Sequence, residues 1–453
     1  MASFADPILP PSSIEKKDVY ELVAHELSKL SLMERHRVNQ DVLGRNILAA
    51  VEPVQLSSLG LAALDKKLLT MKEKQYYTLA QSLNSPMIKD ENFRLKFARA
   101  DCFDPAKAAL RMENYLKFMH DNFGKDGLLR PILLTDLDKA ERDLLKSGSM
   151  QMLPCRDKAG RRILARIGAF GNGRHSLRNK LRVYAYMMQA ASEDEETQKQ
   201  GCVVIMWPPS NSEGSIRRDL QNGKTILPCL PVRISATHLC LAEDQHLHSF
   251  AAWTLLSLFP GLRARTRVHI GSITENQYKL ISYGISSEYL PVTSTGNLKN
   301  QNHLKWIAYR EAKDSATQRG LPFNGIDCPS VRDVLAGKGP HISKNPANIV
   351  FRKMMETRFM EHRDARIVER KTSITWEIVE TIKNRGGRFL VKDKSWWVVA
   401  DPDTAREKVS VAFRDMRKAY TSQGDSGTKK KSNSDDDSQG SEVRKRKRES
   451  DEK

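Results

Sequence analysis

The run Cys202-Val203-Val204-Ile205-Met206-Trp207 is apolar at every position and is closed by Gly201 and Pro208. A strand with one wet face alternates polar and apolar residues, so a short continuous run reads as a strand buried on both faces. Two buried faces need two covers, and the neighbouring sequence supplies them. A helix at about Leu177 to Thr197 precedes the run. A strand at Pro231 to Thr237, a helix near His248 to Phe259, a strand at Arg267 to Ile270 and a helix near Glu275 to Tyr283 follow it. Upstream, a polar turn from Asp157 to Gly160 leads into Ile163, Ala165 and Ile167, the alternate positions of a strand with one buried face. Strands alternating with helices make an α/β layer the expected architecture.

The flanks of this layer differ from it. Residues 1–85 read as a helical region: one amphipathic helix carries Val19, Leu22, Val23, Leu27 and Leu30, and a second runs from about Leu56 to Leu83. These faces are expected to cover the domain that follows, 86–325. Within that domain Asp104 is placed as an N-cap with Pro105 at the first helical position, opening a helix through Ala109, Met112, Leu116 and Met119. A second, small α+β domain is expected over 326–420. It holds a helix with Phe351, Met355 and Phe359 and a helix with Ile367, Ile374, Ile378 and Ile382 that stops at Gly386-Gly387. A hairpin, RFLV and WWVV around a KDKS turn, comes next, then a helix opened by Asp401 and Pro402 that buries Ala405, Val409, Ala412, Phe413 and Met416. The last segment, 421–453, has almost no apolar residues and is expected to be a disordered tail.

Charge narrows the partners. The chain carries Lys+Arg 74 against Asp+Glu 55, a net +19, of which about +7 falls within 326–420. Such a basic segment suits an anionic partner, nucleic acid or an acidic membrane surface. No transmembrane segment is expected: the most apolar stretch, Ser249 to Leu262, is interrupted by Pro260 and Gly261. The N-terminus, MASFADPILPP, lacks the basic start and apolar core of a secretory signal, so export is not expected. Six scattered cysteines without a CxxC pair exclude a disulfide scaffold and point to a reducing compartment.

Candidate chemistry is sparse. AGKGP at 336–340 lacks the spacers and Ser/Thr of a phosphate loop, and GAFGNG at 168–173 lacks the setting of a dinucleotide site. His238, His246, His248 and Cys240 lack the spacing of a catalytic zinc site, so neither metal nor cofactor is expected. No motif marks a catalytic centre. The hairpin is the strongest candidate: Arg385, Arg388, Lys392 and Lys394 could meet phosphates while Trp396 and Trp397 stack on bases. The same hairpin could instead pack its tryptophans inward and leave a solvated basic turn. In the tail, Lys429, Lys430 and Lys431 precede a second cluster, Arg444, Lys445, Arg446, Lys447 and Arg448. That two-cluster arrangement suits a bipartite signal read by a nuclear import receptor, or a solubilising tail. The expected location is nucleus and/or cytoplasm.

Three segments carry a family resemblance. LKFARADCFDPAKAALRMENYL (95–116), RDKAGRRIL (156–164) and GISSEYLPV (284–292) resemble the helical region, the strand entry and the closing element of a CRAL-TRIO domain. The resemblance covers about 92–293, and Arg162 stands where that family generally has proline. It implies a helical N-terminal cover over a mixed sheet that encloses an apolar cavity for one lipid. RDVLAGKG, NPANIVFR, RGGRFLVKDKSWWVV and AREKVSVAFR resemble an uncharacterised domain widespread in diatoms and related algae, over about 326–420. Together these readings describe a non-enzymatic protein that binds a lipid or other hydrophobic ligand. The alternative is a nuclear, nucleic-acid-associated regulator acting through its basic C-terminal domain.

Overall fold

A computed structural model describes residues 14–45, 52–168, 175–208, 225–258 and 260–428. The chain divides into two compact units, one formed by Met1–Asn348 with Gly387–Val399 and the other by Ile349–Gly386 with Ala400–Lys453.

The first unit is built on a five-stranded sheet in the order β1 (Met150–Arg156), β2 (Arg162–Ile167), β3 (Cys202–Trp207), β4 (Ile234–Leu241) and β5 (Thr266–Ile270). β1 and β2 form an antiparallel hairpin, and the remaining pairs are parallel. Asp157 shapes the hairpin turn, its Oδ1 accepting from the backbone N–H of Ala159 (3.0 Å) and Arg161 (2.9 Å). The apolar run 202–207 is the central strand, and its pleat sends side chains both ways. Val203, Ile205 and Trp207 pack with Val38 and Val42 of the helix Leu32–Leu43 and with Leu280 of the helix Ile273–Ser282. On the opposite face Cys202 joins a core made by the helices Pro105–Phe123 and Leu177–Ala191, while Met206 meets Phe250 and Leu255 of the helix Gln245–Ser257. The helix Lys16–Ser28 buries Val19 against this second core. The N-terminal helices thus cover the layer, as their amphipathic faces require.

Several elements depart from the expected pattern for identifiable reasons. β2 is buried on both faces because its polar positions, Arg162 and Arg166, are themselves buried at 5% and 8% exposure. The expected long helix 56–83 is two, Val54–Thr70 and Gln75–Ser82, parted where Met71 turns extended. The helix from Leu177 stops at Ala191, and Asp194 caps a separate short helix, Glu195–Gln200. The unit also carries a smaller sheet in the order β6 (Val334–Leu335), β7 (Phe389–Asp393) and β8 (Trp396–Val399). β7 and β8 pair through Asp393 and Trp396, so the hairpin turn is Lys394-Ser395 rather than four residues, with Lys394 in the left-handed region at φ 53°.

The second unit contains helical structure only among its described residues. Met355 and Phe359 are buried on the helix Pro346–Asp364, Ile374, Ile378 and Ile382 on Val368–Asn384, and Ala405, Val409 and Phe413 on Pro402–Thr428. Ile367 is 62% exposed, because it is the N-cap residue and sits outside the helical stripe it was read into. His362 stacks on Phe413 with ring centroids 3.9 Å apart. Residues 429–453 lie outside the described residues, as does most of GAFGNG. Among the described residues no helix is long and apolar enough to cross a membrane.

Candidate ligand cavities

On the sheet face opposite the helix Leu32–Leu43 lies an apolar pocket of about 120 Å³. Leu164 of β2 and Val204 and Met206 of β3 form its floor, and Tyr184 and Met188 of the helix Leu177–Ala191 stand over it. Met150, Arg166, Ile226, Thr237 and Leu258 also line it, and Leu227, Leu230, Ile234 and Leu262 line both this pocket and a second cavity of about 660 Å³. The two cavities therefore share a wall. The larger one is lined by both apolar and charged residues, among which Arg37, Lys107, Arg111, Arg233 and Arg265 outnumber Asp41, Asp101 and Asp104.

Most of these charges are held in place. Asp41, 3% exposed, accepts from Arg233 Nη1 at 2.7 Å and from Arg265 Nη2 at 2.8 Å. Burial alone would push the Asp41 carboxyl up; the two guanidinium groups outweigh it and hold it below its ordinary value. Arg111 clamps Asp101 through two hydrogen bonds, 2.7 and 2.8 Å, and donates to the carbonyl of Leu227 at 3.1 Å. The cavity edge is thus tied to helix, loop and strand at once. Arg265 lies in the Arg-rich stretch 262–269, and its partner Asp41 is more than two hundred residues away, where nothing local announces it.

A second charged node sits beside β2. Arg162 Nη1 and Nη2 reach Asp327 Oδ1 and Oδ2 at 3.1 and 2.9 Å, and Trp306 Nε1 donates to the same carboxylate at 3.1 Å. Burial would raise the Asp327 carboxyl, yet Arg162 takes it down to about 2. Arginine at this position is therefore a structural device that fastens the segment after the helix Gln301–Gln318 to the sheet.

The hairpin residues have distinct fates. Arg388 is engaged by Asp333, a fully buried carboxylate, at 3.0 and 2.7 Å. Trp396 packs edge-on against Tyr309 (6.2 Å) and tilts against Phe323 (5.5 Å). Trp397 is half-buried, with Lys392 Nζ 5.8 Å from its ring centroid. Lys392 and Lys394 are exposed. Arg385 is exposed and belongs to the second unit, where it is the C-cap of Val368–Asn384. The clusters Lys429 to Lys431 and Arg444 to Arg448 lie outside the described residues.

The histidines do not converge. His238 Nδ1 and His269 Nε2 are 2.9 Å apart on adjacent strands, with the Tyr283 ring 4.6 Å from His238. His246 is exposed and His248 is buried on the helix Gln245–Ser257. Among the described residues no group of three or more His, Cys, Asp or Glu is placed to hold a metal ion.

Residues 333–415 match the family model of a domain of unknown function, DUF6824. This segment takes in β6, the hairpin β7–β8 and most of the second unit's helices. No CRAL-TRIO match accompanies the DUF6824 match. No curated protein matches the chain.

Proposed function

We propose that the α/β layer is a binding module for a hydrophobic ligand with an acidic group, and that the protein works by carrying or sensing that ligand rather than by catalysis. The observation that carries this reading is the common wall of Leu227, Leu230, Ile234 and Leu262, which sets a mostly apolar pocket on the sheet next to a larger cavity with an excess of cations in its lining. Combined space of this size, mostly apolar with a few fixed charges, suits a small amphiphile. The CRAL-TRIO resemblance of 92–293 supports the same reading, since a helical cover over a mixed sheet is the arrangement that family uses to enclose lipid.

Displacement of a fluorescent fatty acid from the full chain tests it. Native protein is expected to bind the probe, and Leu227→Trp, which fills the common wall, is expected to weaken binding about tenfold or more while the fold survives. Equal binding by the variant, or none by the native protein, sinks the reading.

A second reading is favoured by the exposed Lys392, on β7, and Lys394, in the hairpin turn. In it the basic DUF6824 segment contacts nucleic acid in the nucleus, and the tail clusters at 429–431 and 444–448 engage an import receptor.

A further inference from the structure

A third cavity, of about 320 Å³, lies between the hairpin and the helix Gln301–Gln318. Its walls are unusually aromatic: Tyr289, Trp396 and Trp397 are half-buried and present part of their rings, and Trp306 and Tyr309 close the back. The back is rigid. Trp306 is bonded to Asp327, and Tyr309 donates its hydroxyl to the carbonyl of Gly325 at 3.2 Å.

Charge decides what such a cage can take. Aromatic walls accept either an organic cation or a flat π system. The neighbouring lysines repel a cation: Asp327 is already matched by Arg162, leaving Glu288 alone against the exposed Lys305 and Lys392. The cavity therefore favours a flat ring that carries negative charge. Asn302, at the same lining, offers both a donor and an acceptor to a ring edge.

The cavity also continues. Pro154, Glu288, Tyr289, His341 and Trp397 line both it and a neighbouring cavity of about 340 Å³, whose exposed Lys158 and Lys344 add two more cations.

We infer that the Trp396-Trp397 cavity is a nucleotide site, in which a base stacks against the part of the half-buried tryptophan and tyrosine rings that lines the cavity and phosphate oxygens meet Lys305 and Lys392. The inference is independent of the hydrophobic-ligand reading, and it rests on the nucleic-acid reading of the hairpin only for the case of a polymer. The shared chemistry is a base with a phosphate, supplied by a free nucleotide or by a single strand.

The test uses the full chain, titrated with AMP and UMP and separately with labelled oligothymidylate and oligouridylate at about 50 mM salt, with tryptophan fluorescence as the stacking signal. Binding of mononucleotide alone assigns a free nucleotide; binding of the oligonucleotide, with or without AMP, assigns a base within a strand. In both cases quenching is expected, and Lys305→Glu and Trp397→Leu should each weaken binding about tenfold or more. Leucine retains an apolar side chain against Leu390 and Ile326, and Lys305 is exposed, so at least one variant folds normally. Salt-sensitive oligonucleotide binding that neither variant changes, with no AMP binding, would overturn the cavity while leaving the hairpin reading standing. No binding of any probe overturns both.

Discussion

Asp41 shows how a single side chain organises a cavity edge. It is a buried carboxylate between two arginines that are 12% and 20% exposed, so removing it strands two positive charges in a poorly solvated place. Asp41→Ala should destabilise the fold by about 3–5 kcal/mol, read as a lower urea midpoint; a loss under about 1 kcal/mol would show that water already screens the pair. The His238–His269 pair makes a pH prediction. Burial first lowers both rings; His269, Arg161 and Arg267 add to it at His238, and Lys279 and Arg267 add to it at His269, which falls to about 4 from an ordinary 6.5. Both are therefore neutral in the fold and protonated on unfolding below 6.5. Their contribution is fully present above that pH and is lost as pH falls toward 4, so stability should rise with pH across this window, by about 3 kcal/mol for His269 alone. Replacing both by phenylalanine should flatten the profile between pH 4 and 6.5; an unchanged slope refutes the assignment. Of these residues the sequence suggested only His238, and in the wrong company. Its partner comes from the next strand in the sheet, and strand pairing is a property of the fold that no linear spacing carries.

At the level of elements, the hairpin sets a packed Trp396 beside exposed lysines, an arrangement whose alternatives the sequence could name but not decide. Trp396 touches Tyr309 and Phe323, so Trp396→Ala should lower stability by about 2 kcal/mol or more. Lys392 and Lys394 are exposed, so replacing both with alanine should leave the melting temperature unchanged and cut the salt dependence of oligonucleotide binding by a log-log slope of up to about 2. An unfolded double-lysine variant, or a stable Trp396→Ala, would reverse these roles. The strands were legible wherever apolar residues ran together, as in 202–207, or alternated, as in 163–167. β1 was missed as a strand because Pro154 and Arg156 interrupt its apolar pattern, and the inward burial of Arg162 was hidden because arginine at an alternate position reads as solvent-facing until Asp327 is found.

For the whole molecule, the α/β layer, the helical N-terminal cover and the amphipathic helices of the second unit were visible as periodicity. The cavities were not, because a cavity is space left between elements whose packing no single segment encodes: Leu227 and Leu262 meet across a loop and a crossover helix. The tail supplies a prediction of its own. If its two basic clusters act together, alanine at Arg444, Lys445, Arg446, Lys447 and Arg448 should move a fluorescent fusion out of the nucleus, and an unaltered distribution would leave the tail a solubilising role. The central claim, that the sheet and its helical cover take up a hydrophobic ligand, is tested most directly by native mass spectrometry of the full-length chain after exposure to mixed anionic and neutral vesicles, followed by solvent extraction. The account predicts one bound amphiphile per chain, enriched in acidic species and lost in Leu227→Trp; a chain that remains at its bare mass of 51.4 kDa and yields no extractable lipid would contradict it.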